Sequence, residues 1–151
     1  MPASISRDSP LNEITLRRYE KPYNMPQREL VRKFCLSVGI LQPGDSRDVM
    51  VDVLQVLLNA RKQKKILNSE EIRDEAVKLR RQAQLALKGI APSNIRRQLK
   101  RLRDMHLVEK VKNEYRITEF EDIAVLFEEK IEKFYLQNIV NRVREYCQVL
   151  E

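Results

Sequence analysis

A mostly α-helical fold is predicted by three features of this chain. Apolar residues recur at three- and four-residue spacing over most of residues 26–151. Only 3 glycines and 6 prolines occur in 151 residues, and neither occurs between Ser93 and Glu151. Hydrophobic residues make up 42% of the chain and charged residues 34%, a balance suited to a soluble globular protein rich in helix and long enough to bury a core.

Taken in order, the elements are these. The polar, proline-bearing start, MPASISRDSP, is expected to be disordered. The alternating ITLRRY within Glu13–Glu20 predicts a strand. Pro26 at a first helical position then opens a helix, QRELVRKFCLSV, with Leu30, Val31, Phe34 and Val38 on one side and Gly39 as its C-cap. After the break LQPGD, Asp45 or Ser46 is expected to cap a helix to about Lys65. Its apolar centre, VMVDVLQVLL, marks it as the central helix of the core. Ser69-Glu70-Glu71 predicts the next helix start, with an end near Leu87 before Gly89. Ser93, behind Pro92, is expected to cap a helix over 93–105. Strand-like runs follow at Val108–Val111 and Tyr115–Thr118, with a turn supplied by Lys112, Asn113 and Glu114. Thr118 is expected to cap a last helix of about thirty residues, with Glu119, Glu121 and Asp122 in its first turn. The chain divides into an N-terminal arm (1–44), a central domain (45–118) and a C-terminal helix (119–151).

Charge is distributed unevenly. The net charge is +7, made of +2 over residues 1–48, +4 over 49–90, +5 over 91–118 and −4 over 119–151. The excess therefore peaks on the 93–105 helix and the hairpin after it. Ile95, Leu99 and Leu102 define the buried face of that helix. Ser93, Arg97, Lys100 and Arg101 lie opposite, with Arg96 and Arg103 on a flank. Arginine forks onto guanine edges or phosphates, and lysine adds point charge, so such a helix suits a major groove.

The succession of basic helix, apolar pair Leu107-Val108, charged turn Lys110 to Glu114 and strand Tyr115-Arg116-Ile117-Thr118 resembles the winged helix-turn-helix superfamily, over about residues 46–118. The departures are His106, where many relatives carry Gly, and a very short wing. The resemblance implies a winged helix-turn-helix with an N-terminal extension and a long C-terminal helix. It implies a double-stranded DNA-binding protein, a transcriptional regulator whose 93–105 helix reads the major groove. Ser93, Asn94, Arg96, Arg97, Lys100, Arg101 and Arg103 would face that groove, with Lys110, Lys112 and Arg116 on the sugar-phosphate backbone. The other reading is an adaptor that docks proteins in a transcription, replication or segregation complex, with residues 1–44 as a possible partner site.

The last helix points to a homodimer through Phe127, Ile131, Phe134, Ile139, Val143 and Tyr146, since a helix this long outreaches a compact domain. Cys35 and Cys147 lie in apolar patterns and are expected to be buried free thiols. With no CxxC and a single histidine there is no metal set. No phosphate-binding glycine loop, GxSxG or HExxH occurs, so neither a catalytic role nor a cofactor is expected. The cations of ARKQKK (60–65) read as a solvated helix end, and Tyr19, Tyr23 and Tyr115 as packing residues. No leader or membrane span is visible in the sequence. A cytoplasmic location is expected, on the nucleoid if the cell is prokaryotic.

Overall fold

A computed structural model describes residues 8–151, so most of the polar start lies outside the described residues. The chain is mostly helical with one small sheet. In order it forms α1 (Gln27–Ser37), α2 (Val49–Lys62), β1 (Leu67–Asn68), α3 (Ser69–Gln82), α4 (Pro92–Asp104), β2 (Val108–Val111) and β3 (Glu114–Ile117). A 3₁₀ turn (Thr118–Phe120) then leads to α5 (Ile123–Leu126), a π-helical stretch (Phe127–Leu136) and α6 (Gln137–Leu150). Helical dihedrals at Leu126, Phe127, Leu136 and Gln137 join the last three into one continuous rod, about 40 Å long.

Helix α2 is central, as its composition predicts. Val49, Met50, Val51, Val53, Leu54, Val56 and Leu57 are all buried, which few helices outside a core manage. Around it pack Val31, Cys35 and Leu36 of α1, Ile72 and Ala76 of α3, Ile95, Leu99 and Leu102 of α4, and Tyr115 and Ile117 of β3. The sheet is antiparallel in the order β1-β3-β2, with Leu67 opposite Tyr115 and Val108 opposite Ile117. Along β3 burial alternates, with Tyr115 and Ile117 inward and Glu114 outward, as a one-sided sheet requires. Among the described residues no helix is long and apolar enough to cross a membrane.

Several expected boundaries move, for reasons visible in the hydrogen bonds. Neither Asp45 nor Ser46 caps α2. Asp45 accepts from the Arg47 amide, and the helix begins at Val49. Helix α3 starts at Ser69 as expected, capped by Asn68 and Glu71 in a reciprocal capping box, at 2.8 and 2.9 Å. It ends at Gln82, not Leu87. Helix α4 starts at Pro92 with Ala91 in the cap position, so Ser93 lies inside the first turn and is not the cap. Thr118 does not cap the last helix. Its hydroxyl donates to the His106 carbonyl at 2.9 Å, and the helix begins after Asp122. Asp122 and the carbonyls of Phe120 and Glu121 instead hold the Arg61 guanidinium.

Helices α1 to α4 share one termination device. In each, the second residue past the helix end has positive φ: Gly39, Lys64, Gln84 and His106. The next amide reaches back five residues to a helical carbonyl, as Leu107 does to Leu102 at 3.1 Å and Leu85 to Arg80 at 2.8 Å. This is the Schellman arrangement, which satisfies carbonyls the helix leaves open. Only α1 uses glycine there, and it needs it. A Cβ at Gly39 would lie 2.8 Å from the Cβ of Thr15, on the segment crossing above.

That crossing segment is the one expected to be a strand. Among the described residues it pairs with no strand. Its Arg17 amide donates to Ser37 at 2.8 Å, and the Arg17 guanidinium donates to the Leu36 carbonyl at 2.9 Å and to Gln42 at 2.8 Å. A cation on the last carbonyls of α1 complements its dipole, so one arginine does what a ladder was expected to do.

A cluster of two carboxylates and two guanidinium groups lies between α1, α2 and α3, with Asp52 and Arg80 buried in it. Asp52 is 0% exposed within the apolar run of α2. It accepts from Arg80 of α3 at 2.8 Å and from Arg28 of α1. Asp48 accepts from the same two guanidinium groups, at 3.0 and 3.2 Å. Arg80 also donates through Nε to the Ala86 carbonyl at 2.7 Å. Burial opposes the charge on Asp48, but the hydrogen bond from Arg80 and the charges of Arg28 and Arg80 outweigh it. The Asp48 carboxyl is thereby held below its ordinary value.

Candidate nucleic-acid interface

Helix α4 is held by its inner face. Ile95, Leu99 and Leu102 are fully buried, and the connection before it is pinned by its carbonyls. Arg80 takes Ala86, Asn94 takes Gly89 through Nδ2 at 2.7 Å, and Arg73 takes Ile90 through Nε at 2.6 Å. The α3–α4 connection is thus ordered without secondary structure of its own, and it fixes where α4 points.

On the outer face, Ser93, Arg96, Arg97, Lys100 and Arg103 are exposed. Arg96, Arg97 and Arg103 make no ion pair among the described residues. Lys100 pairs with Asp104 at 3.0 Å, a solvated i,i+4 contact of little strength. Two of the expected contact residues lie elsewhere. Asn94 is half-buried, bound to Gly89 and accepting from Gln98 at 3.0 Å. Arg101 is not on the outer face but on a flank, donating to the Gln98 carboxamide at 3.3 Å. The chain Asn94–Gln98–Arg101 ties that flank to the core side. Gln98, buried and polar, was not singled out in the sequence; its position three residues after Ile95 on an apolar face was the available signal.

The hairpin beyond α4 has a two-residue turn, Lys112 and Asn113, both at positive φ (50° and 67°). Both central residues of a type I′ hairpin turn adopt such φ values. Glu114 is the first residue of β3 rather than part of the turn. Lys112 is exposed at the tip, and Lys110 stands exposed over the Tyr115 ring at 5.6 Å. Arg116 is committed within the fold: it pairs with Glu109 across the strands at 2.5 Å and stacks on Phe120 at 4.8 Å. Of the ten expected contact positions, then, Ser93, Arg96, Arg97, Lys100, Arg103, Lys110 and Lys112 present themselves to solvent. Asn94, Arg101 and Arg116 are engaged internally.

The six residues expected on one dimer face are divided. Ile131 is buried in the chain's own core, and Phe127 packs half-buried against it. Phe134 is half-exposed beside His106, with ring centroids 6.3 Å apart. Tyr135 donates to the Asp104 carbonyl at 2.9 Å, tying the rod to the end of α4. Ile139, Val143 and Tyr146 lie farther along. Ile139 is half-buried, while Val143 and Tyr146 are 56% and 69% exposed.

The two cysteines differ as well. Burial pushes the Cys35 thiol up to about 12, against the lowering effect of nearby Arg101. Cys147, expected to be buried, is exposed on α6, where every residue from Asn141 onward is solvated. A thiol reagent at neutral pH should therefore modify one cysteine per folded chain and the second only in denaturant. Two fast-reacting thiols in native buffer would contradict the burial of Cys35.

The chain matches no protein-family model, no curated protein and no solved structure.

Proposed function

We propose that this chain is a winged helix-turn-helix protein that binds double-stranded DNA and regulates transcription. Support for the fold comes from the order α2, β1, α3, α4, β2, β3, the sheet order β1-β3-β2 and the short hairpin directly after α4. The observation that carries the function is the face of Arg96, Arg97 and Arg103. Three guanidinium groups stand exposed, without ion pairs among the described residues, on a helix whose opposite face is locked into the core. Phosphate neutralisation draws the protein to the duplex, α4 enters the major groove, and Lys110 and Lys112 meet the flanking backbone.

The test is a mobility shift on random-sequence duplex over a range of salt. Arg97→Ala should weaken binding and flatten the slope of log K against log salt by about one unit. Arg96→Ala should act similarly. Lys100→Ala should act less, because Asp104 already neutralises part of its charge. A double Arg96→Ala, Arg97→Ala chain that binds with unchanged slope, its fold intact by circular dichroism, removes α4 from DNA contact. The adaptor reading then leads; it draws on the apolar residues that α6 leaves exposed.

A further inference from the structure

Along the last rod the apolar residues do not form one stripe. Leu126 and Ile131 face the core, whereas Leu136, Ile139, Val143, Tyr146 and Leu150 recur at three, four, three and four residues on another side. The π-helical stretch Phe127–Leu136 contains both Ile131 and Leu136, so the change from one set to the other falls within it. Its i→i+5 bonding advances the chain through a smaller angle per residue, so the second set leaves the phase of the first. The result is an a/d seam two heptads long, half-buried at Leu136 and Ile139 and largely exposed at Val143, Tyr146 and Leu150. Ser9–Asn12 run beside α6 and line one groove with the seam residues Ile139, Val143 and Tyr146 and with Asn138, Asn141, Arg142 and Glu145, so this segment borders the seam without closing it. Val143 and Tyr146 stay more than half exposed.

We infer that this seam pairs with the same seam of a second copy of the chain, weakly in free solution and firmly on DNA. The second half of this statement rests on the DNA-binding reading above. An a/d seam of identical helices is self-complementary, so a second copy meets it without any further requirement. Charge permits the match. Although the chain carries +7, residues 137–151 hold Arg142 and Arg144 against Glu145 and Glu151, and Arg142 is neutralised within its own helix by Glu145 at 2.5 Å. Two copies approaching along this rod do not repel. Two heptads bury on the order of 1,000 Å² in total, at the lower bound for a specific interface, so the free pair is expected to be weak. Two subunits on one duplex face each other at a far higher effective concentration, and the seam closes there.

The test uses the full chain and a Val143→Glu, Tyr146→Glu variant, both positions being exposed and outside the core. Sedimentation equilibrium from micromolar to near-millimolar concentration should show reversible dimerisation of the parent and none of the variant. Both should bind a random duplex of about 12 bp equally, whereas on about 40 bp the parent should bind cooperatively and at least tenfold tighter. A parent that stays monomeric throughout and binds the long duplex no tighter than the variant overturns the inference, and the seam then serves a different protein. A dimer unchanged by the substitutions overturns it too, placing the contact elsewhere. A dimer that the substitutions abolish, in a chain that binds no duplex, upholds the pairing of the seam and overturns its coupling to DNA along with the DNA-binding reading.

Discussion

Asp52→Ala is expected to lower the free energy of unfolding by about 3 kcal/mol. The carboxylate is fully buried and accepts from two guanidinium groups, and its removal strands Arg80, itself buried, with only Asp48 as a charged partner. Breaking one partner out of a buried ionic cluster typically costs about 3–5 kcal/mol; the remaining Asp48 contact argues for the lower end. Against a total of about 5–15 kcal/mol the loss is large, and in a chain of this size it corresponds to a melting temperature lower by roughly 6–12 °C. The comparison that isolates charge is Asp52→Leu with Arg80→Met, which removes both buried ions and should be better tolerated than Asp52→Ala alone. A urea melt of Asp52→Ala within 1 kcal/mol of the parent would show that the cluster contributes little. The same cluster sets the acid limit. Because Asp48 is held below its ordinary value in the folded chain, its contribution is complete above the unfolded carboxylate range, about pH 3.9, and is lost as pH falls through the lower folded value.

Leu99→Ala should cost about 2–5 kcal/mol. Leu99 is fully buried on the inner face of α4 beside Ile95 and Leu102, so truncation leaves a cavity that packed neighbours fill only in part. Arg96→Ala, three residues away on the outer face, should change stability by less than about 0.5 kcal/mol. The two substitutions together separate fold from contact on one helix. Leu99→Ala should unfold early in urea while the folded fraction keeps its affinity for duplex, and Arg96→Ala should do the reverse. A neutral Leu99→Ala would mean that the helical phase assigned to α4, and with it the outward direction of Arg97, is wrong.

The periodic features of this chain were the legible ones. The inner face of α4, the all-round apolar α2 and the hairpin after Leu107 all rest on spacing, and spacing is a local property. What the sequence hid depends on partners distant along the chain. Asp52 reads as an isolated acid in an apolar run, and its meaning lies in Arg28 and Arg80, 24 and 28 residues away. The end of α3 was placed too late because Gln84, not glycine, takes the left-handed position, while Arg80 draws the following residues back by the Ala86 carbonyl. His106 ends α4 in the same way, so a residue other than glycine occupies the backbone conformation for which glycine is usual. At the candidate interface, outward direction was readable for Ser93, Arg97 and Lys100, while Arg96 and Arg103, read as flanking, are exposed as well. The diversion of Asn94, Arg101 and Arg116 into internal bonds was not, since each has an ordinary exposed pattern and finds its partner only in three dimensions.

The π-helical stretch Phe127–Leu136 has a consequence for how this chain tolerates change in length. In an ordinary α-helix, removing one residue turns everything beyond it by about 100°, so a deletion between two apolar faces ruins whichever face has to stay in place. Here the widened winding already holds surplus residues between Ile131, seated in the core, and Val143, in solvent. A single deletion between Ile131 and Leu136 can be taken up by tighter winding of that segment. It would leave Ile131 seated and swing the distal helix to a new azimuth about the domain. Insertions and deletions between Ile131 and Leu136 act as a rotational adjustment of the distal half, with Phe127 and Ile131 kept in place against the core.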